Sequence, residues 1–193
     1  MRVDDEIARF DWSGIRTYVG YAEMVPHAIR SLVTVNDEKE AAHLGTWIER
    51  ILLSVAGPCE GCTPVATVLV AALPEMTSAG HTVALNLLAI IAAAEMTGPA
   101  HEQIGRVDTA EIRRAIAVGF PHYLAVLRAP DAATANLHSC VDLIDILAFH
   151  APDLRPGAIA ALEALRTGGR ASTLAVVVEN TLDDLTNPSN DSP

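Results

Sequence analysis

Aromatic residues are scarce in this chain: three Phe, three Tyr and two Trp, 4% of 193 residues. Any core must be filled by smaller side chains, and alanine and leucine supply them. Both favour helix, and small side chains let helices pack closely. Basic residues are outnumbered, 13 Lys and Arg against 24 Asp and Glu, for a net charge of −11 and a pI near 4.9. That balance argues against a protein that binds nucleic acid by neutralising phosphates, or one that rests on an anionic membrane surface. It leaves room for a cationic partner and suits solubility. The three cysteines, an odd number, do not make a disulfide framework. No apolar run approaches the roughly 20 residues of a membrane span. The longest are Pro64–Pro74 and Val83–Ala94, the second interrupted by Asn86. The opening MRVDDEIARF lacks the apolar core of a signal peptide, so a cytoplasmic location is expected. A P-loop, a GxGxxG fingerprint, a GxSxG elbow and an HExxH pair are all missing, which leaves the chemistries they carry without support.

What the chain does have is a repeated unit. Half of its residues are hydrophobic, enough for a sizeable core, and its length suggests one domain over residues 1–187 with a disordered tail at 188–193. A proline-started helix, a short turn and a longer second helix recur at Pro26–Val55, Pro64–Ala93, Pro121–His150 and Pro156–Leu185. Proline suits a first helical turn, where its missing N–H has no intrahelical partner. In the first unit Ile29, Leu32 and Val33 form the apolar side of one helix. Leu44, Ile48, Ile51, Leu52 and Val55 stand at helical spacing on the next. Asp37, Thr63 and Ser78 are placed to cap helices. The unit starts are 38, 57 and 35 residues apart. The long middle interval holds a loop, residues 97–108, and an extra amphipathic helix, Thr109–Val118. That helix has Ile112, Ala115 and Ile116 inward, and Glu111, Arg113 and Arg114 outward. Ile15–Tyr21 is expected to be a short helical connector. Ile15-Arg16 before Pro26-His27 parallels Ile112-Arg113 before Pro121-His122, which hints at two duplicated halves.

These features resemble HEAT-type and armadillo-like repeats. Trp12, Tyr18, Gly20, Ala22, Val25-Pro26, Gly57 and Thr63-Pro64 look like a group of actinobacterial HEAT-repeat proteins. The resemblance covers roughly residues 20–187. It implies an all-α, right-handed α-solenoid of about four helical hairpins, and a scaffolding or partner-binding role on one face.

Aligned on their prolines, the hairpins give one unexpected column. Seventeen residues after Pro26, Pro64 and Pro121 stand His43, His81 and His138, with Thr173 in the fourth unit. One turn later come Trp47, Leu85, Asp142 and Val177, and two turns later Arg50, Leu88, Asp145 and Asn180. Residues four and seven apart share a helix face. His43, Trp47 and Arg50 therefore form one stripe, and His138, Asp142 and Asp145 another. Glu179, Asn180, Asp183 and Asp184 add polar groups on the last helix. His138 with Asp142 at i,i+4 could act as an oriented base, with Asp145 beside it. Local hydrogen bonding at the hairpin turns would explain the same histidines without any chemistry. A shared metal is not expected. Packed helices lie roughly 8–10 Å apart, while Zn–N bonds are about 2 Å.

Cys59-Glu60-Gly61-Cys62 is a CxxC ahead of a helix, which lowers a thiol pKa. No βαβ pattern surrounds it, and although His43 or His27 could complete a zinc set, no spacing demands it, so loop and packing thiols are the simpler expectation beside a redox or metal role. Trp12, Tyr18 and Tyr21 are expected to cap the end of the core. No cofactor is implied.

Three functions remain. The first is a binding protein that holds a partner protein, in a homo- or hetero-dimer, or a small ligand on its second-helix face through His43, Trp47, Arg50, His81, Glu179 and Asn180. The second is a cofactor-independent small-molecule tailoring enzyme, or an enzyme subunit, using His138, Asp142 and Asp145. The third is an immunity-type protein that neutralises a toxin.

Overall fold

The structure is a computed structural model that describes residues 2–99, 102–168 and 173–187. It is mostly helical, an all-α chain with two very short β-hairpins. Two compact units divide it, residues 1–119 and 120–193. The expectations placed on Gly169 and on the tail 188–193 lie outside the described residues.

The first unit holds α1 (Arg2–Ile7), α2 (Val25–Thr34), α3 (Glu38–Leu52), α4 (Cys62–Ala72), α5 (Ser78–Ala93) and α6 (Thr109–Ala117). Its strands are β1 (Arg16–Thr17) with β2 (Gly20–Tyr21), and β3 (Leu53–Ser54) with β4 (Gly57–Pro58), each pair antiparallel. Pro26 stands in the first turn of α2, and Ile29, Leu32 and Val33 are buried. Asp37 caps α3 by accepting from the Glu40 N–H at 2.9 Å. α2 packs on α3 and α4 on α5, while α3 also packs on α5. α1 and α6 both lie against α4.

Several local expectations are corrected. Ile15–Tyr21 is a β-hairpin and not a helical connector, because Gly20 takes φ +119° and turns the chain back. α3 stops at Leu52, three residues early, since Leu53 and Ser54 pair with Pro58 and Gly57, the latter at φ +120°. Val55 is therefore a hairpin tip, 94% exposed, and not part of an apolar helix face. The connectors at 15–21 and 112–119 thus differ in structure. Thr77 caps α5 in place of Ser78, accepting from the Gly80 N–H at 3.2 Å. α4 begins at Cys62 after Gly61, so Thr63 is already inside the helix. Trp12 is buried, its Nε1 donating to the Ile7 carbonyl at 2.8 Å, and Tyr18 is half-buried, but Tyr21 is exposed.

Arg113 points inward, contrary to its reading as a surface residue of α6. It is buried; its Nε donates to the Ala92 carbonyl at 3.0 Å, and its guanidinium pairs with Glu95. It thereby serves the open carbonyls at the end of α5. Arg113→Met should lower the stability of this unit by about 1 kcal/mol, since Ala92 loses a charged donor while the exposed Glu95 regains water. Urea denaturation checks this, and an unchanged midpoint would show that the bond contributes nothing.

The second unit holds α7 (Phe120–Arg128), α8 (Thr134–His150), α9 (Arg155–Thr167) and α10 (Ala175–Thr186). α7 packs on α8 and α9 on α10. α7 also packs on α9, and α8 on α10. Tyr123, Leu143, Ile144, Leu162 and Val178 are fully buried and form the centre of this core.

Candidate functional site

The residues singled out from the proline column fall in both units. On α3, His43 and Arg50 are exposed and Trp47 is half-buried, so a polar stripe with one aromatic faces outward. On α5, His81 is half-buried, but the positions below it, Leu85 and Leu88, belong to the core. Polar chemistry therefore does not continue along α5. His43 and His81 stand in the first unit, and His138, Asp142 and Asp145 in the second.

The second unit does bring sequence-selected residues together. The 138, 142 and 145 positions of α8 share a face. His138 and Asp142 are exposed, and Asp145 is half-buried. Burial pushes the Asp145 carboxyl up to about 6, and the Asp184 and Asp142 carboxylates add to the rise. Desolvation also raises Asp142, against a lowering pull from His138. Four groups from α8 and α10 thus feel one another's charge. Among the described residues no Lys or Arg forms an ion pair with any of the three aspartates. His138 and Asp142 interact through space only; the hydrogen bond that would orient a base is not formed among the described contacts.

Glu179 and Asn180 are exposed on α10. Asp184, one of the polar groups expected on the last helix, belongs to the site. Its signal was there: it stands four residues after Asn180 and continues the same stripe by one turn. Chemically, three close carboxylates with an imidazole can hold a cationic group or exchange protons near pH 6. No set of three or more His, Cys, Asp or Glu able to hold a metal occurs among the described residues.

In the first unit a shallow cleft of about 340 Å³ is lined by Leu53, Ser54, Gly57, Ile90, Ala93 and Thr97. It is largely apolar and takes none of the candidate catalytic or binding residues read from the sequence. Among the described residues no helix is long and apolar enough to cross a membrane. No protein-family model matches this chain, and no curated protein or solved structure is similar to it.

Proposed function

We propose that the chain is a HEAT-like binding protein, a right-handed solenoid of about four hairpins that holds a cationic partner on its second-helix face. Within each unit the packing supports this: first helices contact second helices, and second helices contact each other as α3 with α5 and α8 with α10. That is how hairpins stack in a helical repeat array. The working site on this reading is the α8–α10 patch. The observation that carries it is the grouping of Asp142, Asp145 and Asp184 without a Lys or Arg ion pair among the described residues. Holding such charges together costs free energy, and a cationic group would offset that cost. A second copy of this chain, at net charge −11, is a poor occupant of the same patch, so a basic peptide segment or an amine ligand fits better than a homodimer.

Hexa-arginine peptide is a direct probe. Titration calorimetry at low salt should show binding that weakens at least tenfold in Asp145→Asn/Asp184→Asn. It should stay nearly unchanged in Asp4→Asn/Asp5→Asn, which loses the same net charge elsewhere. Equal weakening by both double variants would mean that only overall charge is felt, and the site would be abandoned.

Acid–base catalysis on a small molecule is the second reading, favoured by one observation: a carboxyl near 6 can give and take protons close to neutral pH. In that case His138→Ala would abolish turnover and leave the melting temperature in place.

A further inference from the structure

The cleft of the first unit has no part in the acidic patch on α8 and α10, and its edge has a chemistry of its own. Its volume, about 340 Å³, stands at the low end for pockets that hold small molecules. It lies where the β3–β4 hairpin meets the end of α5, and half-buried Leu53, Ile90 and Ala94 give it an apolar wall. Backbone contacts hold that junction. Thr97 N–H and Gly98 N–H donate to the Ala56 carbonyl at 3.2 and 3.1 Å. A Cβ on Gly57 would stand 2.6 Å from the Glu95 carbonyl oxygen, so the hairpin and the chain after α5 touch there. The shape is therefore present before any ligand arrives.

Three groups at the edge are acceptors. α5 ends at Ala93, and among the described residues nothing donates to the Ala93 carbonyl. This is the negative end of the helix. Glu95 meets Arg113 through Oε1, while its Oε2 has no hydrogen-bond partner among the described residues, and its side chain is 58% exposed. The Thr97 hydroxyl spends its one proton on the Val55 carbonyl at 2.6 Å, so a ligand meets it as an acceptor. Against these, the Ser54 hydroxyl is the one side-chain donor of the lining. Arg113 balances the charge of Glu95 but does not line the cleft. What acts on a ligand is the helix end and the outward lone pairs. Both favour a cation rich in N–H donors and disfavour a carboxylate.

We propose that this cleft binds a short aliphatic primary amine. The hydrocarbon lies against Leu53, Ile90 and Ala94. The ammonium stands at the edge, where its three donors match the Ala93 carbonyl, Glu95 Oε2 and Thr97 Oγ1. An alcohol of the same length brings one donor and no charge, and a carboxylate brings no donor. Amine, alcohol and carboxylate should therefore bind in that order.

The test is titration of the isotopically labelled full chain at pH 7 with n-hexylamine, n-hexanol and hexanoate, read by amide chemical shifts. Hexylamine should saturate the shifts of Ser54, Gly57, Ala94 and Thr97 with a Kd at least tenfold below that of hexanoate, and hexanol should fall between them. Ala93→Leu, at an exposed position that lines the cleft, should weaken hexylamine at least tenfold while leaving the urea midpoint in place. Glu95→Gln should keep hexanol binding and cut the advantage of the amine over it severalfold. Asp145→Asn/Asp184→Asn should leave the hexylamine shifts at Ser54 and Thr97 unchanged, which separates this cleft from the patch on α8 and α10. Flat shifts at Ser54 and Thr97 would overturn the proposal, and so would hexanoate producing them at the same concentrations. Undiminished hexylamine binding by Ala93→Leu would place the amine outside the cleft and overturn it as well.

Discussion

Gly80→Ala is expected to destabilise the unit of residues 1–119 by about 3 kcal/mol, although alanine is the better helix former by about 1 kcal/mol. The reason is where α5 starts. A Cβ on Gly80 would stand 2.0 Å from the Leu32 carbonyl oxygen and 3.1 Å from its carbon. That oxygen is backbone in the last turn of α2 and cannot swing aside. The two helix ends serve each other. Thr77 N–H donates to the Val33 carbonyl at 3.1 Å, the Thr77 hydroxyl donates to the Val35 carbonyl, and the Gly80 N–H is capped by Thr77 at 3.2 Å. Orphan carbonyls of α2 are thus satisfied by donors at the start of α5, which requires the two backbones almost to touch. Pushing them apart costs the contact and these bonds together. Gly45→Ala makes the useful contrast. Its Cβ would meet Val83 Cγ1 at 2.4 Å, the end of a side chain that can rotate, so its cost should be smaller. Both tryptophans, Trp12 and Trp47, lie in this unit, so urea denaturation followed by their fluorescence reads it directly. A Gly80→Ala midpoint equal to that of the wild type would mean that the helix ends are not in contact in solution.

The helices were legible because their signals are local. Proline in the first turn, a capping Asp37 and apolar residues at helical spacing place α2, α3, α7, α8 and α9 to within a few residues. The β-hairpins were not legible. Two-residue strands have no alternation to detect, and what makes them is the backbone of Gly20 and Gly57. Arg113 was misplaced for a related reason. Periodicity assigns charge to the solvent side, whereas this guanidinium goes inward to meet the Ala92 carbonyl and Glu95, partners over 15 residues away in sequence. For the candidate site, alignment of the prolines put Asp142 and Asp145 on one stripe, and the structure sets Asp184 of α10 beside them. The alignment also carried into the same row His43 and His81, which stand in the first unit, whereas Asp142, Asp145 and Asp184 stand in the second. The CxxC was visible as spacing. Its burial, and the donation of each thiol to the Ile51 or the Leu52 carbonyl, are set by the fold and not revealed by spacing.

Asp145→Asn is expected to stabilise the second unit at pH 8 by about 1.5 kcal/mol and to remove most of its affinity for a cationic probe. The carboxyl is raised from 3.8 to about 6 in the folded chain. Between about pH 4 and pH 6 the folded state therefore holds a proton that the unfolded state has released. Stability falls as pH rises through that window, and the whole cost is present above pH 6. A shift of two units would convert to nearly 3 kcal/mol, but Asp145 is partly open to water, so roughly half should remain. Asn copies the shape of the protonated acid and carries no charge against Asp184 and Asp142. Its melting temperature should therefore exceed that of the wild type by about 6–12 °C at pH 8 and match it at pH 4. Circular dichroism melts at the two pH values measure the difference. A gain of equal size at both would show that the benefit is packing and not charge. A bound cation should do to the wild type what the substitution does, and more: it should pull the Asp145 carboxyl down and release a proton as it binds at pH 6. Calorimetry of hexa-arginine in buffers of differing ionisation heat reads that proton. Its absence at pH 6 would place the peptide elsewhere on the acidic surface, even if the peptide bound well.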